Sequence, residues 1–315
     1  TQTEIHLERN EDQKTTPSAE VVRVYKGNRG KHIYLLNPKY GENFTCANFS
    51  DQKERLEFIE GIIKSGRAEP TKLHHPAWVD SLNKHVKSGE LKDALGILKN
   101  SDPFLKSVLA THTPSYVALI IIATTFINLI PDNKIDDYYL CDRDCRINKD
   151  FILAFFGTLY AAYTVAKSEG IRSITQLEGG YVEEVLTDVI PILANNGDDK
   201  SAFLATLPGH HFSPGQPQGF CLMSTTAIML FQRLQQENQN NVLVVGSDIN
   251  ADNGIRTTIP HLYAQDELKD TTNKTYHIDI FNPNVFPLPK ASLQAESKPT
   301  EALHVEIQIP ITPEK

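Results

Sequence analysis

The sequence is poor in sulfur, with four cysteines, two methionines and one tryptophan in 315 residues. Cys46, Cys141, Cys145 and Cys221 contain no close pair answered by a second close pair, which sets a zinc ribbon aside. Too few thiols are present for a disulfide scaffold, so free thiols in a reducing compartment are expected. Lys/Arg-rich blocks are also missing. With a net charge of −8, a general nucleic-acid or anionic-membrane surface is not expected, whereas a basic substrate such as a lysine-rich tail is compatible. No glycine-rich loop follows a strand in the arrangement that cradles phosphate, which argues against a nucleotide enzyme. Long apolar runs are missing too. The most apolar stretch, 117–130, has Thr and Asn inside it and is too short to span a bilayer, so it reads as a buried helix. No charged-then-apolar leader opens the chain, and the expected location is intracellular, cytoplasmic or nuclear.

What is present is enough for a folded core: 40% of residues are hydrophobic and 22% charged. Residues 1–20 are polar and read as a loose arm, and 21–315 as one α/β domain. Alternation predicts strands over 21–25, 32–36, 173–177, 202–206, 277–281 and 304–309. Asp51 and Glu54 form a capping-box pattern ahead of Leu56, Ile59, Ile62 and Ile63, whose spacing predicts a helix. Further helices are predicted over 73–82, 88–112, 182–194 and 223–235. One more runs from Asp150 to Glu169, with Phe151, Phe155, Leu159, Ala162 and Ala166 on its apolar side. Residues 242–245 are wholly apolar, the pattern of a parallel strand covered on both faces. Strands alternating with helices give a three-layer sandwich around a mostly parallel sheet.

The chemistry gathers between 207 and 254. Leu207-Pro208-Gly209-His210-His211 places adjacent imidazoles on a turn, and Gly219-Phe220-Cys221 follows. The apolar strand then ends in Asp248-Ile249-Asn250-Ala251-Asp252-Asn253-Gly254, a cluster of oxygen ligands. Bases on one loop and oxygen ligands at a strand's C-terminal end are what a metal-assisted hydrolase needs. By itself a His-His pair is more often a turn whose rings bond locally; the downstream Asp248 loop shifts the balance toward function. His74 and His75 read as a surface pair at a helix start, and Asp142 and Asp144 as a solvated loop.

These residues resemble the histone deacetylases and acetylpolyamine amidohydrolases of the arginase-deacetylase fold. Pro208-Gly209-His210-His211 with Gly219-Phe220-Cys221 is similar to the family's tandem-histidine segment. Asp248-x-Asn250-x-x-Asn253-Gly254 is similar to its metal loop, usually Asp-x-His-His-Gly-Asn-Gly. Weaker similarities at 51–56, 73–82, 281–287 and 305–310 extend the match over roughly 50–310. The resemblance implies a zinc-dependent amidohydrolase acting on an acetylated or acylated lysine or polyamine amine, with a histone or other basic protein among the candidate carriers of the substrate. His211 would be the acid/base, His210 its electrostatic neighbour, Gly219 and Phe220 would line the substrate tunnel, and Asp248 and Asn250 would hold Zn(2+) or another divalent cation.

Several positions depart from that pattern. Asn250, a neutral amide, stands where the family has a metal-binding His, so weak metal affinity is expected. Gly246 stands where the family has an acid that buttresses the first histidine, so His210 is expected to lack an orienting partner. The family's last metal-binding Asp and its carbonyl-polarising Tyr follow the segment matched by 305–310, so relative to the family the chain reads as C-terminally incomplete. Leu177-Glu178-Gly179-Gly180-Tyr181 resembles the segment of that Tyr but precedes the histidines. Tyr181 is therefore expected away from the site. These departures keep two alternatives open: a degenerate deacetylase-like protein that binds a partner or acyl-lysine without turnover, and an arginase-like two-metal hydrolase, since Asp248-x-Asn250-x-Asp252 approximates that group's Asp-x-His-x-Asp.

Overall fold

A computed structural model describes residues 33–35, 69–70, 90–100, 102–127, 129–130, 151–167, 173–178, 200–205, 209–219, 221–236, 241–246, 248, 250–285, 287 and 303–311. The expected arm, the strand over 21–25, the helices at 51, 73–82 and 182–194, Tyr181 and Phe220 lie outside the described residues. Contacts gather into two compact units, 1–73 with 168–206 and 74–167 with 207–315.

The first unit contains a four-stranded sheet. Its strands are β1 (Ile33–Leu35), β2 (Glu69–Pro70), β3 (Ser173–Glu178) and β4 (Lys200–Ala205), in the order β2-β1-β4-β3. Every pairing is parallel, with Tyr34 opposite Glu69, Ile33 opposite Ala202 and Ser173 opposite Lys200. Parallel neighbours need crossover connections, the mark of an α/β fold.

The second unit carries the helices α1 (Leu91–Leu98), α2 (Pro103–Thr111), α3 (Pro114–Ile127), α4 (Phe151–Lys167), α5 (Thr225–Leu234) and α6 (Asn253–Tyr263). Its sheet is β5 (Asn241–Gly246), β6 (Lys274–Phe281) and β7 (His304–Pro310), in that order and all parallel. The helix expected over 88–112 is two helices. Asp102 stops the first by capping the second: its Oδ1 accepts from the backbone N–H of Phe104 at 2.9 Å and Leu105 at 3.1 Å, and Pro103 fills the first helical position. The apolar stretch at 117–130 does form a helix, but one that is only partly covered among the described residues, with Leu119, Ile122 and Phe126 exposed. Among the described residues no single helix is long and apolar enough to cross a membrane; α2 and α3 meet at a bend of 105°.

The core lies between α2, α4 and α5, where Phe151, Phe155, Phe156, Phe212 and Phe231 are fully buried. Each such ring contributes about 1.5–3 kcal/mol relative to exposure. Ser224 caps α5 by accepting from Ala227 N at 3.1 Å. The two-faced cover expected for 242–245 is not seen among the described residues. Val242 and Val244 pack toward the α5–α6 core, whereas Leu243 and Val245 are 60% and 54% exposed. The strand alternates because its side chains alternate.

Candidate functional site

The site grows from the turn at 209–212, which is closed by Phe212 N donating to Gly209 O at 3.1 Å. Phe212 anchors it by inserting between His112, with ring centroids 4.8 Å apart, and Tyr116, at 5.0 Å. His112 is buried and holds both ends of its environment. Its Nδ1 meets Thr111 Oγ1 at 2.8 Å, and its Nε2 accepts from Ser224 N at 3.1 Å. Tyr116 adds a hydrogen bond from its hydroxyl to Leu222 O at 2.7 Å. The turn and the start of α5 are thus held by one aromatic and hydrogen-bonded cluster.

The N-terminus of α6 comes flush against this turn. Ile255 N donates to His210 O at 3.2 Å. A Cβ on Gly254 would lie 2.4 Å from His211 C and 2.5 Å from His210 O, so no residue larger than glycine fits there. That close approach puts Asp252 and Asn253 beside the imidazoles. His211 Nδ1 donates to Asn253 Oδ1 at 2.6 Å, and His210 Nδ1 to Asp252 Oδ1 at 3.1 Å. The two rings lie 3.9 Å apart, tilted by 51°. His210 therefore has an orienting acid. The expectation that it lacks one, drawn from Gly246, is corrected by Asp252, a loop residue whose carboxylate returns to the end of β5.

Asp252 is itself fixed by β6. Its second oxygen faces His277 Nε2 at 3.5 Å, and its backbone N–H donates to Asp279 Oδ2 at 3.0 Å. Asp279 also accepts from Arg256 Nη2 at 3.0 Å, and Arg256 pairs through Nε with Glu306 on β7. Burial alone would raise the Asp252 carboxyl, but hydrogen bonds and charge from His210 and His277 outweigh it and bring it down to about 2. Burial and the negative charge of Asp252 push Asp279 up to about 6. Burial, and then the charge of His210, lower His211 to about 4, against the raising effect of Asn253. His211 is thus neutral at pH 7. With its Nδ1 hydrogen on the amide oxygen, Nε2 is the nitrogen that can take a proton.

Of the residues singled out in the sequence, the structure brings together His210, His211, Asn253 and Gly254. Gly219 has φ 55°, a left-handed conformation that favours glycine, in the turn bridging Gln218 and Cys221. Cys221 is buried, and its Sγ accepts from His211 N at 3.4 Å. Asp248 is exposed and its Oδ1 accepts from Asn250 N at 2.8 Å, so one oxygen is used to shape the loop. Sequence reading missed Asp252 as the partner of His210, and His277, Asp279, Arg256 and Glu306 altogether. A signal was available for β6: Thr275, His277 and Asp279 alternate onto a buried face, where a structural strand would carry apolar residues.

A model of the histone deacetylase domain matches residues 62–314. The chain belongs to the histone deacetylase family. A solved structure described as the HDA15 HD domain is similar at 13% identity with a TM-score of 0.48, over 88% of this chain and 62% of that one. This chain therefore spans under two thirds of that chain's length. A search of the curated proteins returned no match. As a member of that family, the chain is an α/β protein of a hydrolase family that is generally metal-dependent. The described residues do not fit a tightly held zinc ion. Zinc takes three or four ligands drawn from Cys, His and carboxylate. At the positions expected to bind metal the loop offers one exposed carboxylate and one neutral amide, and among the described residues no group of three His, Cys, Asp or Glu is placed to hold a metal ion.

Proposed function

We propose that this histone deacetylase-family chain is an amidohydrolase that splits the C–N bond of an acylated lysine or polyamine amine. His211 is the acid/base and His210 its electrostatic neighbour. The observation that carries this reading is the pair of oriented imidazoles, each with Nδ1 bound to an acceptor oxygen. As water attacks the acyl carbonyl, its proton passes to His211 Nε2 and from there to the leaving amine, giving a carboxylic acid and a free amine. Asp252 and Asn253 hold the two rings in the tautomer this transfer needs. Gly219 and Phe220 are the candidate residues to contact the aliphatic stem. The acidic net charge suits a substrate on a histone or other basic protein. Asp248 and Asn250 are the candidate ligands of a divalent cation, zinc among them, held weakly because one of the two is an amide.

A second reading, binding of an acyl-lysine or protein partner without turnover, is favoured by the exposed Asp248 and the amide at Asn250. Turnover of a fluorogenic acetyl-lysine peptide separates the two. The first reading expects turnover in the unmodified chain, its loss in His211→Ala and a smaller loss in His210→Ala. Equal rates for His211→Ala and the unmodified chain would remove His211 from the role, and peptide binding with no turnover selects the second reading.

A further inference from the structure

We propose that Gly246 and Asp252 are one reciprocal exchange: the acid that orients His210 has moved from the end of β5 to the loop before α6, and position 246 is glycine to leave it room. The metal loop that this chain resembles carries a glycine where Asp252 stands, and the strand end carries an acid where Gly246 stands. In this chain the two residue types are interchanged. The geometry shows why both positions must change together. A Cβ on Gly246 would lie 1.8 Å from Asp252 Oδ2 and 2.6 Å from its Cγ. The relocated carboxylate therefore occupies the space into which a side chain at 246 would grow. Gly246 sits opposite Asp279 in the register of β5 and β6, and Asp279 accepts from the Asp252 backbone N–H at 3.0 Å. The same end of β6 supplies His277 to the second carboxylate oxygen. The acid thus reaches His210 from the loop with the support that β6 would have given it from the strand. Asp252 is a positioning residue, acting on substrate only through His210.

The inference rests on the proposed role of the histidine pair, so it is tested by a property that needs no turnover: the tautomer of His210, read from imidazole 15N shifts at one fixed pH near neutrality. The proteins are the unmodified chain, Gly246→Asp, Asp252→Gly and the double variant, with melting temperature measured alongside. The unmodified chain is expected to hold the His210 proton on Nδ1. Asp252→Gly is expected to shift it toward Nε2, and Gly246→Asp to lower the melting temperature, since two carboxylates then compete for one space. The double variant is expected to restore the Nδ1 tautomer and raise the melting temperature above both single variants. Should Asp252→Gly fail to fold, Asp252→Ala removes the acceptor while keeping a Cβ and is expected to raise the Nε2–H population. Where turnover is present, loss of the acid is expected to lower kcat about 10–100-fold with little change in KM, as loss of a supporting partner does elsewhere, and the double variant to recover most of it. An unchanged tautomer in Asp252→Gly and Asp252→Ala overturns the proposal, as does a double variant no better than the worse single. Absence of turnover in every form, with tautomers as expected, removes the hydrolase reading and leaves the exchange standing.

Discussion

His112 has no neutral-pH charge to contribute, and its value to the fold depends on that. Its Nε2 accepts from Ser224 N–H, so protonating it breaks a buried bond, and burial lowers its pKa to about 3. His211 is lowered to about 4 for a similar reason. Both folded values lie below the unfolded value near 6.5, so the unfolded chain takes up protons that the folded chain cannot. Stability from each is complete above about pH 6.5 and falls by about 1.4 kcal/mol per pH unit on acidification toward the folded value. Asp279, raised to about 6, acts in the opposite sense, with stability lost as pH rises from about 4 through 6. Two groups outweigh one, so urea unfolding is expected to show net loss of stability from pH 6.5 to pH 4. In His112→Gln the acid limb becomes shallower. An unchanged pH slope in that variant would show that His112 is not the group responsible. Gly254 is the other residue on which the site depends. Gly254→Ala forces a methyl against the His210–His211 backbone and is expected to cost about 1–3 kcal/mol in chemical denaturation. At Asn250, elemental analysis of the purified chain is expected to find zinc well below one per chain, and Asn250→His to raise affinity. Stoichiometric zinc in the unmodified chain would contradict the expectation.

Elements in this chain are set by a few residues at their ends. Asp102 is one: Asp102→Ala is expected to cost about 1 kcal/mol, read as a lower melting temperature, because two backbone N–H groups at the start of α2 lose their acceptor. The Asp102-Pro103 dipeptide was visible in the sequence, yet the apolar periodicity over 88–112 runs through it and suggests one helix. Arg256 plays the corresponding part for α6, tying it to Asp279 on β6 and Glu306 on β7. Arg256→Met leaves Asp279 buried without its cation and is expected to cost about 3–5 kcal/mol in denaturant unfolding. A change below about 1 kcal/mol would mean that the pair contributes little net stability. β5 shows the limit of reading cover from composition. Val242, Leu243, Val244 and Val245 look alike in a sequence, but only alternate members pack on α5 and α6. Most other strand and helix positions in the second unit were legible, because period and caps are local properties, but α6 was not predicted: its start at Asn253 lies inside the segment read as a metal loop.

For the whole molecule, the match to the histone deacetylase domain over residues 62–314 carries the family, and the order of motifs that resembles it was legible from short segments. His210-His211 and Asn253-Gly254 are local motifs, so they could be found without a fold. The Asp252–His210 contact joins positions far apart in the chain, and nothing near Asp252 in the sequence marks it as the replacement for an acid at 246. The alternation of His277 and Asp279 on β6 was visible, but their roles were not, since these depend on the loop that folds onto β6. Acetate release from an acetylated lysine peptide decides between hydrolysis and binding alone. It is followed by quantifying both products, with the full chain and a titrated divalent cation. Hydrolysis predicts acetate and free amine in equal amounts, rising with cation and lost in His211→Ala. Peptide that binds but releases no acetate at any cation concentration would contradict it.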